Sequence, residues 1–159
     1  MVWRVVAMDL CGYGQSFCVG RPLAGDPAGQ VKLVTDEVRA GGATRVVLIG
    51  ASMGGSVSLT AAKAVDADAI VDLSGPAVFE RSSVTADAAN VTMPALFAFS
   101  NTDRSDLDTV RKALSSMPSK AKEFLTYGTG HGYELLRDPS SLEFTPLAKR
   151  VLGWVKTGS

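Results

Sequence analysis

Histidine is the scarcest reactive side chain here: the chain has one, His131. A metal centre built on several imidazoles is therefore excluded, and any reaction needing a histidine base must use that residue. Cysteine is nearly as sparse. Cys11 and Cys18 are separated by six residues in a loop-like stretch, with no C-x-x-C pattern and no neighbouring histidine. They read as ordinary reduced thiols in a cytoplasmic protein, in preference to a zinc site or a loop disulfide. Net charge is missing too, since 16 basic and 16 acidic residues cancel and neither sign forms a run. Nothing in that balance suggests a nucleic-acid or membrane-binding surface. Long apolar runs are lacking as well: the stretch from Val2 ends before ten residues, ahead of Gly12-Tyr13-Gly14. It is too short to span a bilayer and carries no cleavage-site pattern, so no export signal is expected.

What remains is 159 residues, 46% hydrophobic and 20% charged, which suits one soluble domain over residues 1–159 with a core of its own. Its organising stretch is Arg45 to Ser56, R-V-V-L-I-G-A-S-M-G-G-S. The β-branched run Val46 to Ile49 stops abruptly at Gly50-Ala51-Ser52-Met53-Gly54, and small residues then continue at helical spacing through Val57, Ala61, Ala64 and Val65. This pattern predicts a buried strand turning sharply into a helix. Ser52 at that turn is expected in a strained conformation with its hydroxyl aimed outward, beside the free N–H groups of a helix N-terminus.

The rest of the chain alternates strand and helix. Val2 to Met8, apolar apart from Arg4, reads as a first buried strand entering a glycine loop. Asp26-Pro27 reads as a helix start, Val31, Val34 and Val38 as its apolar repeat, and Gly41-Gly42 as its end. Further strands are expected at Ala69 to Leu73, Ala95 to Phe99 and Glu123 to Tyr127, with helices around Leu107 to Ser116 and Phe144 to Val155. This alternation predicts an α/β fold, a three-layer αβα sandwich around a mostly parallel sheet. Ligands of such sheets bind beyond the carboxyl ends of the strands. Three ends stand out there: the Ser52 turn, Asn101-Thr102-Asp103, and Gly128-Thr129-Gly130-His131-Gly132.

Serine, then acid, then histidine is the order found where a nucleophile turn sits on an α/β sheet. Here the sequence resembles the α/β-hydrolase family from Val2 to its end. Asp9-Leu10-Cys11-Gly12-Tyr13-Gly14-Gln15-Ser16 is similar to the family's D-x-x-G-x-G-x-S loop, and Gly50 to Gly55 to its G-x-S-x-G-G elbow. Pro94 to Asp103 resembles its acid-bearing strand, and Gly130-His131-Gly132 its histidine loop. The G-H-G-x-x-L-L ending points to small lidless esterases and dienelactone-hydrolase-like members. The resemblance implies Ser52 as nucleophile, His131 as general base and then acid, Asp103 as the orienting carboxylate, and the Met53 N–H as oxyanion donor. Imidazole suits that role because its ordinary pKa of about 6.5 lets it take a proton and return it near neutrality. Asp106 and Asp108 read as helix caps. Asp72, ending another strand, is the alternative acid, while Asp9 reads as a structural acid. Tyr13, Met53 and Tyr133 either line the pocket or pack.

The implied activity is hydrolysis of a carboxylic ester or related small-molecule acyl compound through an acyl-enzyme, with acyl transfer and a catalytically silent domain as alternatives. No cofactor or metal is called for, since no G-x-G-x-x-G opens a helix and no ligand spacing appears. A dehalogenase-like reaction is disfavoured because the elbow carries serine instead of a carboxylate. The family's first strands, one of which precedes a His-Gly oxyanion loop, have no counterpart. A shortened five-strand sheet is expected, with apolar surface left exposed for association into oligomers and Met1 as an internal methionine of a longer frame. The 21 residues Ser74 to Pro94 are too few for a lid.

Overall fold

The computed structural model describes residues 3–19, 23–103 and 106–158. Its strands in chain order are β1 (Val47–Ala51), β2 (Ala69–Leu73), β3 (Val78–Phe79), β4 (Ser82–Ser83), β5 (Ala95–Phe99) and β6 (Lys122–Thr126). The frame is a parallel sheet in the order β1-β2-β5-β6, with Leu48 opposite Ile70, Val71 opposite Leu96 and Phe97 opposite Phe124. The two central strands are buried along their whole length, which explains sequences that are apolar throughout except for Asp72.

Helices cover both faces. Against one lie α1 (Pro27–Ala40), α2 (Met53–Ala61) and α4 (Leu107–Ser116), whose Val31, Leu59, Val110 and Leu114 pack with Ile70, Phe97 and Phe99. Against the other lies α5 (Pro146–Thr157), where Leu147, Val151 and Trp154 meet Val71, Leu96 and Ala98. Alternate residues of a strand point to opposite faces, so each central strand feeds both cores. The caps match the chain's punctuation. Asp26 accepts from Gly29 N–H ahead of Pro27, and Thr145 accepts from Ala148 N–H ahead of Pro146. Between β2 and β5 the chain makes only the β3–β4 hairpin, the short helix α3 (Val84–Asp87) and a 3₁₀ turn, Ala88–Asn90.

Two expectations fail. Among the described residues the sheet has four strands, because Trp3 to Met8 forms none; Val2 lies outside the described residues. Apolar sequence marks a wish for burial, whereas a strand also needs a ladder partner, and this segment has none: Val5 is 91% exposed. The next residues are tied to a helix instead. Leu10 is buried, and Cys11 N–H donates to Gln30 Oε1 on α1 at 2.7 Å. The second correction concerns the cysteines: Cys11 and Cys18 are joined in a disulfide. The loop between them doubles back, bringing their Cα atoms to 5.4 Å, inside the range that such a bond spans.

Candidate active site

Ser52 sits between the end of β1 and the first turn of α2, at φ 52° and ψ −124°. A non-glycine residue held there costs on the order of 1–3 kcal/mol, so its neighbours must fix it in place. They do. Ser52 N–H donates to Leu73 O at 2.8 Å, tying the turn to β2, and Ser52 O accepts from Gly55 N–H at 2.8 Å. Gly50 is required by closeness, since a Cβ there would run into the Gly54 backbone.

His131 comes from the loop after β6. Its Nε2 lies 2.8 Å from Ser52 Oγ, and its Nδ1 lies 3.3 Å from Asp103 Oδ2. The Asp103 carboxylate is almost wholly covered, with 1% of its side chain exposed, while the imidazole is half open. Asp103 follows β5, and its loop is drawn to the histidine loop by two bonds: Tyr127 N–H to Phe99 O at 2.8 Å and Asn101 N–H to Gly128 O at 3.2 Å. Gly132, at φ +61°, lets the histidine loop close on the elbow, since a Cβ there would already sit 3.3 Å from Ala51 Cβ.

The other carboxylates fall elsewhere. Asp106 caps α4 through Thr109, whose N–H and Oγ1 hold its carboxyl below the usual range. Asp72 lies under the elbow, 4% exposed, and accepts from Gly75 N–H at 2.7 Å. Burial pushes it up to about 7, opposed by that hydrogen bond and helped by the nearby charge of Asp103. Asp9 accepts from Gln15 N–H within its own loop.

Tyr133 lines a hollow of about 250 Å³ with Ser52, His131, Gly132 and Glu134. Tyr13 and Met53 line a separate groove along β1 that shares Ala51 with the hollow. Sequence reasoning missed Glu134, whose Oε2 accepts from His131 N–H at 2.9 Å and steadies the histidine loop. Its signal was present: a glutamate three residues after the position that caps a helical turn. It missed the Asp72 burial as well, which no local pattern announces.

A strand-elbow-helix serine, a loop histidine and a covered carboxylate, in that chain order on a parallel sheet, agree with the sequence comparison. Residues 2–153 match the pattern of the Alpha/beta hydrolase family. The chain belongs to that family. Solved structures show this alpha/beta hydrolase fold at low sequence identity. A lipase-esterase related protein from Clostridium acetobutylicum is similar over 95% of this chain and 82% of its own, at 16% identity and a TM-score of 0.65. A monoacylglycerol lipase from Paleococcus ferrophilus is similar over 83% of this chain and 76% of its own, at 13% identity and 0.63. An alpha/beta hydrolase enzyme from the metagenome of Mar Chica lagoon sediments, in Morocco, is similar over 81% and 69%, at 15% and 0.60. No curated protein shows a significant match. Among the described residues of this family member, no helix is long and apolar enough to cross a membrane.

Proposed function

We propose that this family member is a serine hydrolase that cleaves a carboxylic ester or related acyl bond through an acyl-enzyme on Ser52. The observation that carries the reading is the 2.8 Å approach of His131 Nε2 to Ser52 Oγ at a strained elbow. With Nδ1–H donating to Asp103, Nε2 is the free acceptor. It takes the Ser52 proton as Oγ attacks the acyl carbon, and the carbonyl oxygen becomes an oxyanion facing the Met53 N–H at the start of α2. Collapse breaks the bond to the leaving alcohol, which receives the proton from Nε2 and leaves Ser52 acylated. A water then repeats the sequence: His131 takes its proton, its oxygen attacks the acyl carbon, and Oγ departs reprotonated with release of the acid. If another alcohol replaces the water, the same steps give acyl transfer.

The connection between β2 and β5 is a short hairpin, α3 and a 3₁₀ turn, and none of its residues lines the hollow, which supports a small lidless esterase. A second reading, a binding domain that keeps these side chains without turnover, draws on the oxyanion site, to which a single donor, the Met53 N–H, is assigned. Lack of a second donor lowers rates by about 10² to 10³, equivalent to roughly 3–4 kcal/mol. The Cys11–Cys18 bond removes the ground for a cytoplasmic setting, since disulfides persist where the surroundings are oxidising. Hydrolysis of p-nitrophenyl acetate separates the readings. A burst of p-nitrophenolate equimolar with protein, absent from Ser52→Ala, is expected. Folded protein with neither burst nor turnover would favour the silent domain.

A further inference from the structure

The hollow at Ser52 has an uneven wall. Ala51, Gly132 and Ser52 give it small, uncharged surfaces, whereas Tyr133 and Glu134 put an aromatic ring and a carboxylate beside the imidazole of His131. No Lys or Arg lines it. The other carboxylate of the site, Asp103, is spent on His131 Nδ1 and has 1% of its side chain exposed, so the carboxylate left facing an incoming molecule is that of Glu134.

That carboxylate is held in one place. Its Oε2 accepts from His131 N–H at 2.9 Å, and it lies over Gly130, where a Cβ would come to 3.1 Å from Glu134 Cβ and 3.3 Å from Oε2. Its second oxygen has no hydrogen-bond partner among the described residues, and the residue stays exposed. Tyr133 next to it is 71% exposed. A fixed anion and an open aromatic face on one wall both attract an organic cation, the first by its charge and the second by its quadrupole. Because the carboxylate is already positioned, little conformational freedom is lost when such a cation binds.

We propose that this hollow selects esters whose alcohol carries an alkylammonium group, with Glu134 and Tyr133 as the residues that recognise the cation. Placing the cation on the alcohol half rests on the serine-hydrolase reading. In that reading the departing oxygen takes its proton from His131 Nε2 and must come within hydrogen-bond reach of it, while the acyl oxygen faces the Met53 N–H. Tyr133 and Glu134 follow His131 in the same loop, so they border the departing alcohol. A glutamate three residues after the residue that caps a helical turn also has a purely local role, that of closing a capping box, but glutamine closes the box equally well. Charge is what separates the two roles.

Choline acetate and 3,3-dimethylbutyl acetate test it, since carbon replaces nitrogen at nearly constant shape. After division by their rates of hydroxide hydrolysis, kcat/KM is expected to be about 5- to 10-fold higher for the choline ester, with the ratio shrinking as salt is added. Glu134→Gln keeps the cap and is expected to bring the ratio within about twofold of one, and Tyr133→Leu to lower it. The ratio is read within each protein, so a general loss of activity in a variant cancels. A wild-type ratio near one, or a preference that survives Glu134→Gln, overturns the proposal. If neither ester is cleaved, the hydrolase reading fails and binding decides the cation site: choline and 3,3-dimethylbutanol are titrated while the amide resonances of Tyr133 and Glu134 are followed. Choline binding at least about threefold tighter, with the difference lost in Glu134→Gln, upholds the site; equal binding, or none, overturns it.

Discussion

Asp72→Asn makes the buried carboxyl under the elbow measurable. Asp72 is 4% exposed and accepts a hydrogen bond from Gly75 N–H, with Gly55 packed so close that a Cβ there would meet the carboxylate. Removal from water disfavours the charged form more than that N–H bond supports it, and the carboxyl rises from 3.8 to about 7. Near pH 3.8 and below, folded and unfolded chains both hold the proton, and the group has no effect on stability. Between there and about 7, the folded chain keeps a proton that the unfolded chain releases, so folding stability falls as pH rises. Above about 7 the full penalty remains. Three pH units at 1.36 kcal/mol each set it at up to about 4 kcal/mol. Asparagine copies the shape of the neutral carboxyl, keeps an oxygen for Gly75 and cannot ionise. Urea unfolding of both proteins should therefore show the variant gaining on the wild type from acid to mildly alkaline conditions, by up to about 4 kcal/mol in total. A stability gap equal at both ends of that range would mean that Asp72 is already ionised in the fold, and the desolvation argument would be refuted.

Other perturbations read different links of the structure. Asp103→Asn keeps the shape but leaves His131 Nδ1 without an anionic acceptor, and kcat on an activated ester should drop on the order of 10⁴-fold with unfolding unchanged; a loss below tenfold would move the acid elsewhere. Gly50→Ala drives a methyl into the Gly54 backbone and is expected to cost about 1–3 kcal/mol of stability. Wild-type unfolding in that variant would show that the elbow is looser than this packing implies. Cys11→Ser opens a short loop and should cost about 2 kcal/mol by chain entropy. Alkylation of unfolded, unreduced wild type should find no free thiol, and two free thiols would disprove the bond.

The parts of the fold that could be read from the chain are those decided locally. Ala69–Leu73, apolar apart from Asp72, and Ala95–Phe99 are apolar runs because both faces are covered, and Pro27 marks a helix start through its own fixed dihedral, whereas the last helix begins at Pro146, two residues after the expected Phe144. The last strand shifts by one residue, to Lys122–Thr126, since a half-buried edge strand has a softer pattern. Trp3–Met8 misled because composition cannot say whether a neighbour is present to complete the ladder. Cys11 and Cys18 misled because their meeting depends on the path of a loop, which pattern does not encode. At the candidate site, the order of the Gly50–Gly55, Asp103 and Gly130–Gly132 blocks made the convergence legible. The choice between Asp103 and Asp72 required knowing which carboxyl reaches the imidazole and which lies beneath the elbow.

The central claim is that Ser52 Oγ is a nucleophile activated by His131. Exposure to a fluorophosphonate, followed by intact-mass measurement and peptide mapping, addresses that directly. One adduct per chain on Ser52 is expected, slowed at least about 10³-fold in His131→Ala and missing from Ser52→Ala. Folded wild-type protein that stays unlabelled, or labels equally fast without His131, would contradict it.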